Sequence, residues 1–560
     1  MPRLRILLVV FALVGGMVPG ATQVAAQPSR FRLHAPAGES VLVHAEYPSV
    51  ESSCVDPYQP VLHARYRGTI EIGTAADGSL FLIGELSFED YVKGIAEVPR
   101  DWPMEALKAQ VVAARTYALN RLRFAETGGD YDLCATTECQ VYVGMKVEAG
   151  PWGQRWVRAV DETAGQVLLY QGEPAVTYYS STSPGRTFDV EDRFGGEALP
   201  YLRGIDEPDD AASPLSRWRV QMPFDHLARF LADEGLWGGG RIDGVAASGG
   251  SIAIRGPGGR VTLSKEELRD ALNETASCLA PDHYPTREPN GYQLPQTVPS
   301  VWYRAGGEGS ALVLRGRGWG HGVGMVQWGA YGKAQRGLTY QEILEAYYGG
   351  LRPQTVEVPS SIRVLIAEGL REVTVVPSGD VEAPGVGARP PWRITNGTQL
   401  RVRHGPPPQP VLEAEGFSAR GRAIPGEPFR ATLRASDTVQ VHLEFLSGDQ
   451  VTATTEAAPL EEGDVQLRSV LPELAPGRYA VRAVASDGVD QVLTEARPVR
   501  VVAASPVSPS PTPTSPPAAA QPVQAEDDRG GLVWAAILAA GAVLVLLVLT
   551  AARRRGLHRR

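Results

Sequence analysis

The chain has 560 residues, 21% charged and 43% hydrophobic, and carries a formal net charge of −9. That length holds several domains, and that composition is ordinary for a folded protein rather than a disordered or fibrous one. The negative balance deepens once the arginines of the two ends are set aside, which argues against nucleic acid and anionic lipid as main ligands.

Arg3 and Arg5 precede an apolar run, Ile6 to Val14, and small residues up to Ala26. This pattern predicts a secretory leader over 1–26, cut before Gln27. From Phe31 to Glu85 the sequence reads as strands. Thr69–Ile72 and Leu80–Ile83 flank Asp77-Gly78, a strong hairpin signal.

The stretch Tyr91–Leu119 is the centre around which the rest of the chain is arranged. An acidic turn, Glu97-Val98-Pro99-Arg100-Asp101-Trp102, leads into a helix predicted from Pro103. Leu107, Val111, Ala114, Ala118 and Leu122 recur at helical spacing, and Val112, Ala113 and Leu119 cover much of the rest, so the helix is expected to be buried on most sides. A buried helix behind a turn is a rigid mount for one carboxylate.

Beyond it, a short helix is predicted over Trp156–Thr163 and a second hairpin from Val167–Tyr170 and Val176–Tyr179 around Gly172. Ser180 to Thr187 is rich in hydroxyls, but no Gly-x-Ser-x-Gly elbow marks a serine nucleophile. A turn capped by hydroxyls that can touch sugar is the preferred reading. Helices are expected at His226–Gly235, Ser264–Asn273 (capped by Ser264 with Glu267 three residues on), Met325–Gln335 and Tyr340–Tyr348. A surface loop is expected over Pro281–Pro299 and a strand over Ala311–Leu314. Between that strand and the third helix, glycines at 316, 318, 320, 322 and 324 surround Trp319 and His321. They permit close approach or positive φ, and no Gly-Lys-Ser/Thr comes after them to make a phosphate loop.

Residues 359–410 read as a small β-rich unit. Residues 411–503 alternate cleanly, as in Val439-Val441-Leu443-Phe445, and predict an immunoglobulin-like sandwich. A Pro/Ser/Ala-rich linker spans 504–530, then an uncharged run, 532–552, long enough to cross a bilayer. The basic tail, 553–560, orients the preceding chain outside the membrane. Four cysteines in an exported chain favour disulfides. Cys134 and Cys139 are close enough to pair locally, leaving Cys54 with Cys278.

Two blocks carry a family resemblance. The first comprises Tyr91, Gly94, Glu97, Pro99, Trp102, Pro103, Glu105–Gln110 and Ala113–Tyr117; the second is Gly318–Gly332, GWGHGVGMVQWGAYG, with Gln140-Val141-Tyr142 and Gly144 between them. The chain resembles the SpoIID/LytB family of bacterial cell-wall proteins over roughly Gly68–Leu351. The resemblance implies an α+β fold with a mixed catalytic domain over 27–358, and a catalytic glutamate at Glu97. It implies substrate-binding roles for Trp102, Lys108, Arg115, Tyr142, Ser181, Ser183, Trp319, His321 and Gln327. Some members hold a metal near Cys134 and Cys139. Here the intervening residues contain no histidine, so a disulfide is preferred, zinc is the alternative, and no other cofactor is expected.

Ordinary glycosidases need two carboxylates. Among Glu85, Glu89, Asp90, Asp101 and Glu105, none is singled out as a partner for Glu97, because Pro99 and Pro103 keep Glu97, Asp101 and Glu105 off one regular helix face. One acid fits a lytic transglycosylase acting on peptidoglycan glycan strands. The alternative, from the LytB side of the resemblance, is a non-catalytic enhancer of a cell-wall amidase. A third and weaker reading is an adhesin-like display protein. In each case the expected location is extracytoplasmic, tethered to the membrane by the C-terminal span.

Overall fold

The computed structural model describes residues 30–46, 61–123, 129–285 and 296–503, except 380, 382, 398, 399, 411, 420, 421, 437, 438, 449, 461 and 462. The expected leader, Cys54, linker, span and tail lie outside the described residues. Among the described residues no helix is long and apolar enough to cross a membrane.

The predicted first hairpin forms. Thr69–Thr74 and Leu80–Leu86 pair antiparallel, and the Asp77 carboxylate accepts the Ser79 N–H at 2.9 Å across the turn. They sit inside a five-stranded sheet ordered Phe31–His34, Thr69–Thr74, Leu80–Leu86, Ile362–Leu370, Leu133–Cys134. A second five-stranded sheet is ordered Arg401–His404, Trp392–Thr395, Glu372–Pro377, Val41–Glu46, Val61–Tyr66. The separate β unit expected over residues 359–410 is not what forms: its strands complete two sheets begun before residue 90. Their alternation marks them as strands and says nothing of which distant edge they join.

The central helix is Met104–Leu122, with Pro103 as its N-cap. It is buried on two sides because it separates two cores. Leu107, Val111, Ala114 and Ala118 pack with the sheet residues Phe31, Ile70, Leu82 and Val364. Ala109, Val112 and Ala113 pack with Leu168, Val326, Ile343 and Tyr347. Alanines on both faces let neighbouring backbones approach closely, and burial on both sides replaces the single apolar stripe of a surface helix.

The second hairpin forms only in part. Gln166–Tyr170 pairs with the two residues Glu173–Pro174, while Tyr179–Ser180 pairs in parallel with Met325–Val326. The intervening residues find other partners. The Val176 N–H donates to the Tyr201 hydroxyl at 3.0 Å, and the Thr177 hydroxyl donates to the Ala113 carbonyl at 2.8 Å. The expected helix at 325 accordingly begins at Gln327 and runs to Gln335. The helix expected at Trp156 starts earlier and spans Gly150–Glu162.

Residues 218–316 contain two three-stranded sheets and the helices Phe224–Asp233 and Lys265–Leu279, around a core of their own that includes Met222, Leu227, Phe230 and Leu263. The second helix carries the expected capping box of Ser264 and Glu267. From Leu412 onward, a three-stranded and a seven-stranded sheet enclose Phe429, Leu433, Leu443, Phe445 and Val481, as an immunoglobulin-like sandwich requires. A sandwich loop meets the N-terminal strands: His63 Nε2 lies 2.9 Å from the Asp490 carboxylate, and Arg65 Nε donates to the Val489 carbonyl at 3.1 Å.

Candidate active site

Glu97 is fixed by its backbone first. The short helix Phe88–Lys93 is capped by Ser87 and ends at Gly94, where a Cβ would stand 2.3 Å from the Tyr142 ring. Glycine lets the ring pack directly on the chain there. The next residues lie antiparallel to 141–143: Val143 N–H donates to the Gly94 carbonyl at 3.0 Å, and Ala96 N–H to the Val141 carbonyl at 2.9 Å. This pairing aims the Val141 N–H at the Glu97 carboxyl, to which it donates at 2.7 Å.

A polar frame surrounds the acid. Gln327, the first residue of its helix, donates through Nε2 to the Glu97 backbone carbonyl at 3.2 Å and to Gln110 Oε1 at 3.4 Å. The Tyr91 hydroxyl donates to Gln140 Oε1 at 2.9 Å, and Gln140 Nε2 donates to the Tyr179 hydroxyl at 2.8 Å. Tyr91 and Gln140 are fully buried. Gln140 and Val141 directly follow a loop closed by a disulfide between Cys134 and Cys139. Zinc needs separate thiolates, so the residues present here do not fit that ion. Cys278 is also disulfide-bonded.

Burial raises the Glu97 carboxyl from the ordinary carboxylate range to about 7, against the opposing pull of hydrogen bonds from Val141, Gln327 and Tyr179. The other nearby carboxylates are engaged. Glu85 holds Arg32 and Arg363, at 2.9 and 2.8 Å. Glu89 holds Arg115, Asp90 accepts from Ser87, and Glu105 accepts the Tyr340 N–H. Asp101 is exposed on the surface beside Trp102. What results is a single acid whose pKa burial raises to about 7, with hydrogen-bond donors and, among the described residues, no counter-ion.

The other expected site residues divide. Gln327 touches Glu97 directly. Tyr142 is buried, its ring stacked on Tyr91 at 5.3 Å, so it shapes the site from behind rather than offering a face to sugar. Trp102 is also buried, against Trp328 and Tyr331. Trp319 is partly exposed and pairs through its backbone with Thr182. Ser181 is partly exposed and hydrogen-bonded to the Thr182 hydroxyl at 3.1 Å.

Three expectations meet a different arrangement. Arg115 is fully buried and grips Glu89 with two nitrogens, at 2.9 and 2.7 Å, so it ties the central helix to its neighbours and presents nothing to a substrate. Lys108 is paired with Glu162 at 2.7 Å. Ser183 is buried and donates to Asp210 at 2.8 Å. His321 accepts the Val323 N–H at its Nδ1, 3.1 Å away, and packs edge-on against Tyr178 and Phe194. Burial lowers its pKa to about 4, leaving it neutral at ordinary pH. It braces the glycine run, in which residues 318, 320, 322 and 324 all take positive φ. A Cβ at 324 would lie 2.1 Å from the Tyr178 carbonyl.

Sequence reasoning did not single out Tyr179, Gln140 or the Val141 N–H as contributors to the site. The only signal was indirect: Gln140 and Val141 belong to a block that resembles the family.

Residues 76–170 match the family described as Stage II sporulation protein. The chain is 34% identical to an uncharacterised protein of Brachyspira hyodysenteriae, over 49% of this chain and 68% of that one. It is 30% identical to the stage II sporulation protein D of Bacillus amyloliquefaciens, over 48% and 74% respectively. It is 27% identical to the amidase enhancer of Bacillus subtilis, over 46% of this chain and 39% of that protein. The matched region holds both the Glu97 turn and the helix behind it, and on these similarities the chain belongs to the SpoIID/LytB family.

Proposed function

We infer that the protein is a lytic transglycosylase acting on peptidoglycan glycan strands outside the cell, with Glu97 as its one acid and base. The observation that carries this reading is a lone carboxyl poised at about 7 while each neighbouring carboxylate is tied elsewhere or exposed. A hydrolase would need a second carboxylate to activate water or attack the sugar. A transglycosylase does not. Glu97 donates its proton to the glycosidic oxygen as the bond to C1 breaks. The C6 hydroxyl oxygen of the same N-acetylmuramic acid residue then bonds to C1, and its proton passes to the Glu97 carboxylate. No water is consumed, the acid is restored, and the sugar keeps a 1,6-anhydro ring.

Similarity to a protein named amidase enhancer supports a second reading, in which the same frame binds glycan and stimulates a cell-wall amidase without cutting. Incubating purified glycan strands with the protein, alone and with an amidase, separates the two. New chain ends from the protein alone support the transglycosylase. Stimulated amidase activity with no new ends supports the enhancer.

A further inference from the structure

Trp102 does not stand alone. Its ring lies 4.9 Å from that of Trp328 and 5.2 Å from that of Tyr331, and the last two are 5.3 Å apart. Trp328 and Tyr331 are each partly exposed. With Asp101, Pro103 and Gln335 they line an open depression of about 380 Å³, within the range of small-ligand clefts. Its chemistry is selective. Ring faces form the floor, a carboxylate and an amide stand at the rim, and no cation lines it among the described residues. Arg155, which reaches this turn, is spent on the Asp101 and Trp102 backbone carbonyls, at 3.1 and 2.7 Å. A phosphate or an acidic peptide would meet Asp101 with nothing to offset it. A neutral ligand with one flat C–H face and hydroxyls or amides on its edge fits both floor and rim, and that describes a pyranose ring.

The depression borders the turn that carries the acid, since Asp101 and Trp102 of that turn line it. Gln327 holds the Glu97 carbonyl, and the next residue in the same helix, Trp328, forms the floor. Trp102 closes the same turn that carries Glu97. We propose that Trp328, Tyr331 and the edge of Trp102 form a saccharide subsite that seats an amino-sugar ring flanking the bond presented to Glu97. The assignment rests on the glycan-cleaving reading for its position and on the floor and rim for its ligand class.

The test is calorimetric titration of the full-length chain, carrying Glu97→Gln to prevent turnover, with a β-1,4-linked N-acetylglucosamine tetramer. Adding Trp328→Ala should weaken binding by about tenfold or more, as loss of an aromatic anchor does at other interfaces. Tyr331→Ala should weaken it less. Trp328→Phe should retain most of it, which also guards against misfolding of the alanine variant. Trp152→Ala, on an exposed ring outside the depression, should change nothing. Unchanged affinity in both Trp328→Ala and Tyr331→Ala would overturn the subsite while leaving Glu97 untouched. Loss of binding in those variants, with a wild type that cuts no glycan, would retain the subsite and remove the catalytic reading.

Discussion

The helix Gln327–Gln335 meets Glu97 at one end and Glu207 with Asp209 at the other, and treats the two ends in opposite ways. Near its C-terminal end, Lys333 meets Glu207 at 2.9 Å, with side chains only 8% and 0% exposed, and the Tyr347 hydroxyl adds a further bond. At its N-terminal end, Gln327 meets Glu97 with a neutral amide. The first carboxylate has a cation and serves the fold, pinning the helix to the turn at 207–210. The second has only neutral donors, so burial lifts its pKa toward neutrality instead of being offset by a counter-ion. Burial alone does not make an acid useful. Burial without a countercharge does.

Exchanging the two carboxylates for amides should separate their roles. Glu97→Gln should reduce glycan cleavage by about 10²–10⁴-fold, the usual worth of general acid–base catalysis, with little change in the urea midpoint. Glu207→Gln should do the reverse. It takes one of two carboxylates from the buried Lys333 ammonium and leaves Asp209, 3.0 Å away, which should cost about 1–3 kcal/mol in a denaturant melt, while the remaining folded protein keeps its turnover. A Glu97→Gln protein that melts early but cuts normally would erase the contrast.

The difference should also be visible in pH. Cleavage needs the protonated acid, so the rate should fall as pH rises through about 7. His321, neutral above about 4, adds no second limb in that range. Stability responds to the same proton. The unfolded carboxyl ionises near 4.5 and the folded one near 7, so the folded state binds the proton more tightly. Wild type should therefore lose stability relative to Glu97→Gln between those values and run parallel to it above them. Melts of the two proteins across that range check this.

A smaller effect concerns the loop behind the acid. Replacing Cys134 and Cys139 by serine frees the loop that leads directly into Gln140 and Val141. Stability should fall by about 2 kcal/mol or less, given so short a loop. Cleavage should drop several-fold, because the Val141 N–H is no longer held on Glu97. Equal rates for the oxidised protein and the serine variant would show that strand pairing at 94–96 suffices.

Local features of this architecture were readable from the sequence and long-range ones were not. The hairpin at Asp77-Gly78, the helix behind Pro103, the Ser264 cap and the alternation of the sandwich each depend on residues a few positions apart. The partners that Ile362–Leu370 and Glu372–Pro377 find at Leu80–Leu86 and Val41–Glu46 lie about three hundred residues away, and no periodicity encodes them. The same holds for charge. Arg115, Lys108 and Ser183 looked like hands held out to a substrate, yet each finds an internal partner, Glu89, Glu162 or Asp210, that spacing could not reveal. Glu97 was legible because its block resembles a family. Its hydrogen-bond frame was not, since Val141 contributes only a backbone N–H, which any residue but proline could supply.

The central claim is that one carboxyl acts alone, and the chemical form of the cut end tests it most directly. Mass spectrometry of glycan fragments released by the wild-type protein should show 1,6-anhydro-muramyl ends, about 18 Da lighter than hydrolysed ends because the sugar's own hydroxyl has replaced water. Ends of hydrolysed mass would contradict the account, since they require a second group to activate water beside Glu97.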